Sequence, residues 1–181
     1  MNGNCHFLFG ASVSVALAIN LDTISNTLVH ISSNQDNVTL LMLGGIVGGI
    51  FPDIDNPTSY MGRLSAPIST MIGKIGECFN KVGANHRGIL HDPIIYLCGL
   101  YVAYMYCPSL IGFFIGCLSH LLLDMFNPSG VPFLFGLKRL HLGKIKSGSQ
   151  GSVKLTWLMV ILVLVVSVAF KYGLFNDIIY K

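Results

Sequence analysis

Residues 110–126 read LIGFFIGCLSHLLLDMF, an apolar run interrupted by one imidazole and one carboxylate, His120 and Asp124. Four positions apart, those two side chains share one face of a helix. The rest of the run is almost wholly apolar, the pattern of a segment enclosed by protein or lipid on most sides. Pro108 precedes it, and Asn127-Pro128-Ser129-Gly130 follows as a turn that stops the helix at its charged end.

Composition says what surrounds such a helix. Hydrophobic residues make up 52% of the chain and charged residues 10%, against about 25% charged in an ordinary soluble domain. Four further apolar runs, Phe7–Leu21, Val38–Phe51, Ile94–Tyr106 and Leu155–Phe175, accompany the first. All but the last fall short of the roughly 20 residues that cross a bilayer unaided, so tilt or buried polar extensions are expected. The expected architecture is all-α: a polytopic membrane bundle of about five short spans, forming one domain over residues 1–181. Ile68, Met71, Ile72, Ile75, Phe79 and Val82 recur at helical spacing, which predicts an amphipathic helix lying on the membrane surface. Gly44, Gly45, Gly48 and Gly49 in one run and Gly112 and Gly116 in another have the spacing that lets helices approach closely. The five cysteines include no Cys-x-x-Cys pair, so neither a disulfide framework nor a cysteine metal motif is expected. The opening MNGNCHFLFG lacks a basic flank, which disfavours a removable signal peptide.

Orientation follows from Lys and Arg, which are retained on the cytoplasmic side. The segment 52–93 carries Arg63, Lys74, Lys81 and Arg87, and 127–154 carries Lys138, Arg139, Lys144, Lys146 and Lys154; segment 22–37 and the turn at Pro108 carry none. With five spans the N-terminus and the basic loops lie inside. The ionisable residues then sort by depth. His6 opens the first span, Asp53 and Asp55 close the second, His86 and His91 precede the third, and His120 and Asp124 close the fourth. All seven map to one membrane face, where burial would be costly without a partner. Imidazole mixed with carboxylate suits zinc, manganese or iron better than calcium, and more than four ligands suggest one or two ions. Asp92 before Pro93 reads as a helix N-cap, and His30, in a bare outer loop, as solvated.

An N-terminal His followed by Gly10, Pro52-Asp53-Ile54-Asp55 with Ser59, His86-Arg87-Gly88 with His91, and His120 with Asp124 before the Asn-Pro-Ser-Gly turn occur in one order. That pattern, over most of the chain, resembles the YdjM family of bacterial inner-membrane, metal-dependent hydrolases, some under LexA regulation. The chain departs from the family at Leu90 and Asp92, and at Gln150, where an acid is usual after the Gly-Ser motif. The family in turn looks like a distant relative of zinc-dependent phospholipase C, which implies phosphoester chemistry. On this reading His6, Asp53, Asp55, His86, His91, His120 and Asp124 hold a divalent metal, with zinc first among the choices. Arg87 and Asp55 serve the reaction, with Arg87 placed to clamp a phosphate. Membrane lipids are the expected partners, a lipid phosphoester is the expected substrate, and no nucleic acid is expected. Two other classes compete: a transporter, which would need polar residues continuing along the spans, and a non-catalytic membrane protein with a closed structural metal.

Overall fold

A computed structural model describes residues 3–21, 23, 35–56, 58–65, 67, 71 and 89–174. Helix α1 spans Gly3–Ile19 and α2 Gln35–Gly48; a 3-10 turn, Phe51–Asp55, and the short α3, Tyr60–Leu64, follow. A second 3-10 turn, Ile89–His91, leads into α4, Pro93–Tyr106, and a third, Pro108–Leu110, into α5, Ile111–Met125. Strands β1 (Val131–Phe133) and β2 (Lys138–Leu140) form an antiparallel hairpin, and α6 spans Gln150–Lys171.

Each of the five apolar runs is therefore a helix. Two helical stretches, Pro108–Met125 and Gln150–Lys171, are long and apolar enough to cross a membrane. At 1.5 Å per residue α6 is about 33 Å long, just over the roughly 30 Å hydrocarbon thickness. Trp157, Leu158, Ile161, Leu162 and Val165 on α6 are exposed, a surface that lipid accepts and water does not. The expectation of a purely helical chain is corrected by the small hairpin, which falls where the sequence offered only turn and charge. The amphipathic helix expected around residues 68–82 lies outside the described residues, Met71 excepted.

The helix starts follow their caps. Asp92 accepts from the Ile94 amide at 3.0 Å with Pro93 in the first turn, and Ser59 and Ser149 cap α3 and α6 in the same manner. Each cap satisfies an amide with no partner inside its helix.

Packing depends on glycine. A Cβ on Gly116 would lie 2.3 Å from the Gly45 carbonyl oxygen, and one on Gly48 would lie 2.1 Å from the Phe113 carbonyl oxygen. Hence α2 and α5 touch backbone to backbone, which only glycine allows. Phe9, Leu123 and Val160 join α1, α5 and α6 at the core. Tyr96, Cys117, Leu121 and Val131 join α4, α5 and the hairpin base. Toward the opposite end, the Asn20 side-chain amide donates to Ser167 Oγ at 2.6 Å and to the Ala16 carbonyl at 2.9 Å, tying α1 to α6.

Candidate metal centre

The charged ends of these elements converge. His6 comes from the first turns of α1, Asp53 from the turn after α2, His91 from the turn before α4, and His120 and Asp124 from the last turns of α5. All five gather at one end of the bundle, buried except for Asp53, whose side chain is 16% exposed. His6 Nε2 lies 3.3 Å from Asp124 Oδ1; His91 Nε2 lies 3.5 Å from Asp53 Oδ1 and 3.9 Å from Asp124 Oδ2. His120 Nε2 lies 3.6 Å from Asp53 Oδ1 and 3.9 Å from Asp124 Oδ2. The imidazoles of His6 and His120 stack with centroids 3.6 Å apart.

These distances are long for hydrogen bonds between such groups. They are close to what ligation needs, since two donors about 2.0–2.1 Å from one tetrahedral zinc lie roughly 3.3–3.4 Å apart. Two overlapping sets of ligand atoms, His6 with His120 and Asp124, and Asp53 with His91 and His120, each fall within 4.8 Å.

The tautomer of His120 is set by the backbone. Its Nδ1 lies 2.8 Å from the Gly49 carbonyl oxygen, so Nδ1 carries the proton and donates. Nε2 is left with its lone pair facing the carboxylates, the outer-sphere arrangement that orients metal-binding imidazoles. The glycine contacts make this possible, because a Cβ on Gly116 would also meet the Gly49 amide nitrogen at 2.9 Å. Among the described residues, neither ring nitrogen of buried His6 has a hydrogen-bond partner, nor has His120 Nε2. Buried polar atoms are rarely left so, which fits a cation as the missing partner.

Electrostatics agree where the groups lie outside the long helices. Burial pushes the His91 imidazole below its ordinary range, and the facing Asp53 offsets this only in part. Burial alone would raise the Asp53 carboxyl, but the facing imidazoles of His120 and His91 outweigh it and hold it below the usual carboxylate range. Neutral imidazole and ionised carboxylate are the forms that bind metal.

One expected ligand takes another place. Asp55 belongs to neither ligand set; its Oδ2 lies 3.7 Å from His91 Nδ1, behind the ring. At that separation Asp55 acts on the ring through its charge and not through a hydrogen bond. His86 and Arg87 lie outside the described residues. His141 lies beside Gly130 and belongs to neither ligand set.

Other features were not foreseen. Asp92 does more than cap α4: its Oδ2 also accepts from the Phe135 amide in the hairpin turn. Tyr96 Oη donates to the Leu90 carbonyl at 2.6 Å, fixing the turn that bears His91. The hairpin turn needs such a hold, since Leu134 and Phe135 sit at φ 53° and 56°, costing roughly 1–2 kcal/mol each for residues with a Cβ.

A family model described as YdjM inner membrane protein matches residues 1–174. Two curated relatives, each named Inner membrane protein YdjM, come from Escherichia coli (strain K12) and Shigella flexneri. Each is 33% identical over 98 residues, covering 48% of this chain and 44% of the relative. Uncharacterized protein YvsG of Bacillus subtilis (strain 168) is 28% identical over 99 residues, covering 53% of this chain and 57% of its own. The chain spans about half the length of the curated relatives it matches. No solved structure matches it.

Proposed function

The chain belongs to the YdjM inner membrane protein family, and from that premise we propose that it is a metal-dependent hydrolase of the bacterial inner membrane, acting on a phosphoester of a lipid or lipid-linked substrate. Its five long helices span the membrane, with the His/Asp end facing the cytoplasm where the Lys and Arg of the loops lie. The observation that carries the reading is the His120 Nδ1 to Gly49 carbonyl contact, which aims Nε2 into a buried set of imidazoles and carboxylates. A resident ion, zinc first among the choices, would be held by His6, His91, His120, Asp53 and Asp124.

Such an ion supplies an acidified water and a Lewis acid for the scissile phosphoryl oxygen. The chain's own residues divide the remaining work. Asp55 places its charge on the Nδ1 side of His91, which favours the proton on that nitrogen and leaves Nε2 for the ion. Asp53, the most accessible of the clustered side chains, marks the side from which water and substrate oxygen would reach the ion. Arg87, two residues before the turn that carries His91, meets the substrate anion and the charge that develops on it. Because the cluster opens at the ends of apolar helices, a substrate with a headgroup at that depth reaches it most directly.

The alternatives have less support. Among the described residues, Asn20 and Ser167, toward the other end, bond to each other and to helix carbonyls, which commits them to packing and away from holding a transported ion. A structural ion is favoured by one fact, the near-complete burial of the three imidazoles; the accessible edge at Asp53 argues for a water position instead.

The test combines elemental analysis of the detergent-purified protein with a phosphoester panel, with and without chelator. Arg87→Ala should keep the metal and lose turnover, while Asp53→Asn should lose both, since the amide removes charge at nearly constant shape. Release of metal by Arg87→Ala, or wild-type metal and turnover in Asp53→Asn, refutes these roles.

A further inference from the structure

We propose that the β1–β2 hairpin is an interfacial anchor, its tip seated in the anionic lipid leaflet at the metal-centre end and its basic strand on the headgroups. The hairpin is built asymmetrically. Its base is locked, with Val131 fully buried against Tyr96, Cys117 and Leu121. Its tip is bare: Leu134 is exposed, Phe135 is 65% exposed and Leu137 82%. Three successive residues, Leu134, Phe135 and Gly136, have positive φ. For Leu and Phe that conformation is disfavoured, so the chain tolerates strain to turn apolar side chains outward.

A contact at the tip reports its depth. The Phe135 amide donates to Asp92, the N-cap of α4, and the apolar run Ile94–Tyr106 begins two residues later. The tip therefore lies level with the start of that helix's apolar stretch, where headgroup gives way to acyl chain. Charge names the occupant. No Asp or Glu occurs between Asp124 and Asp177, whereas Lys138, Arg139 and Lys144 follow the tip and are exposed. An apolar tip beside cations that form no salt bridge among the described residues suits an anionic bilayer surface. The inference rests on the reading above only in placing the helices across the membrane; it requires no ion and no hydrolysis.

The protein has one tryptophan, Trp157, half-exposed on α6. In full-length protein reconstituted into vesicles of phosphatidylcholine and phosphatidylglycerol, Trp157→Phe combined with Phe135→Trp moves the indole to the tip. Its emission should be blue-shifted and should lose most of its intensity to lipid spin-labelled near the headgroup, and less to lipid labelled at the chain end. Omitting phosphatidylglycerol, or adding Lys138→Glu with Arg139→Glu, should weaken that loss; indifference to both overturns the assignment to anionic lipid. An indole that emits as in water and is quenched by aqueous iodide, while Trp157 of the wild type is quenched by labelled lipid, overturns the anchor and leaves the tip to a protein partner. If Trp157 also escapes the labelled lipid, the spanning reading fails with it. Should Phe135→Trp cost monodispersity, Leu137→Trp serves the same measurement.

Discussion

Replacing Gly116 with alanine tests whether helix packing sets the chemistry of His120. The new Cβ would lie 2.3 Å from the Gly45 carbonyl oxygen and 2.9 Å from both Gly45 Cα and the Gly49 amide nitrogen. All three are backbone atoms, so no side chain can swing aside. Restoring an ordinary carbon–oxygen separation of about 3.4 Å requires α2 and α5 to part by about 1 Å. The His120 Nδ1 to Gly49 contact, now 2.8 Å, would then pass the roughly 3.2 Å limit of a good N–H···O bond. The ring loses its orienting acceptor, and metal affinity should fall roughly 10–100-fold, the usual cost of removing an outer-sphere partner. Overpacking should also lower stability by about 1–3 kcal/mol. Affinity is read by competition with a chromophoric chelator and stability by thermal unfolding in the same detergent. Gly151→Ala is the control, because its Cβ would meet nothing closer than 3.5 Å. If Gly116→Ala melts early yet binds metal as the wild type does, the glycine contact matters for packing alone and the backbone carbonyl does not orient His120.

Other outcomes follow from the same geometry. His91→Ala and His120→Ala should each lower bound metal while His30→Ala does not; equal losses from all three would indicate misfolding in place of ligation. Asp92→Asn should leave α4 capped, since Asn and Asp cap equally well. It should still cost about 1–3 kcal/mol in a thermal melt, because the remaining oxygen keeps the Ile94 cap while the amide NH2 takes the place of the oxygen that accepted from Phe135 and leaves that N–H without an acceptor, and Asp92→Ala should cost clearly more. Removing an ion held at about 100 times its Kd should take away about 2.7 kcal/mol of stability, and an unchanged melting curve after chelation would argue against a filled site. A cysteine at Asn34 should be labelled from outside intact cells and one at Ser147 should not; the reverse pattern would invert the orientation.

The parts legible in the sequence are those that depend on short spacing or on depth. His120 and Asp124 share a helix face because four residues make about one turn. His6, Asp53 and His91 gather with them because the ends of antiparallel helices meet at one level, whatever the details of packing. Asp92 was readable as a cap from the proline that follows it. Its second bond was not, since the Phe135 amide is 43 residues away and no local pattern couples them. The hairpin escaped notice for a similar reason: strands of three residues, one of them Pro132, have no periodicity to detect. Glycine spacing announced close helices, but that the Gly49 carbonyl would thereby reach His120 depends on register. Asp53 and Asp55 looked equivalent as a chelating pair, yet the 3-10 turn points one into the cluster and the other behind His91.

His120 belongs to both ligand sets, and this limits how the centre can fill. With Nδ1 committed to Gly49, the ring has a single lone pair to give, and one lone pair serves one cation. A first ion would claim it. A second would have an incomplete set, either His6 with Asp124 or Asp53 with His91, and would need water or substrate oxygen to finish its shell. Loading would then be a ladder with unequal rungs, the upper one exchanging readily and emptying first under dilute chelator. An activity that needs both ions would follow that upper rung, so the metal requirement seen in turnover and the metal retained through purification would differ because of one shared nitrogen.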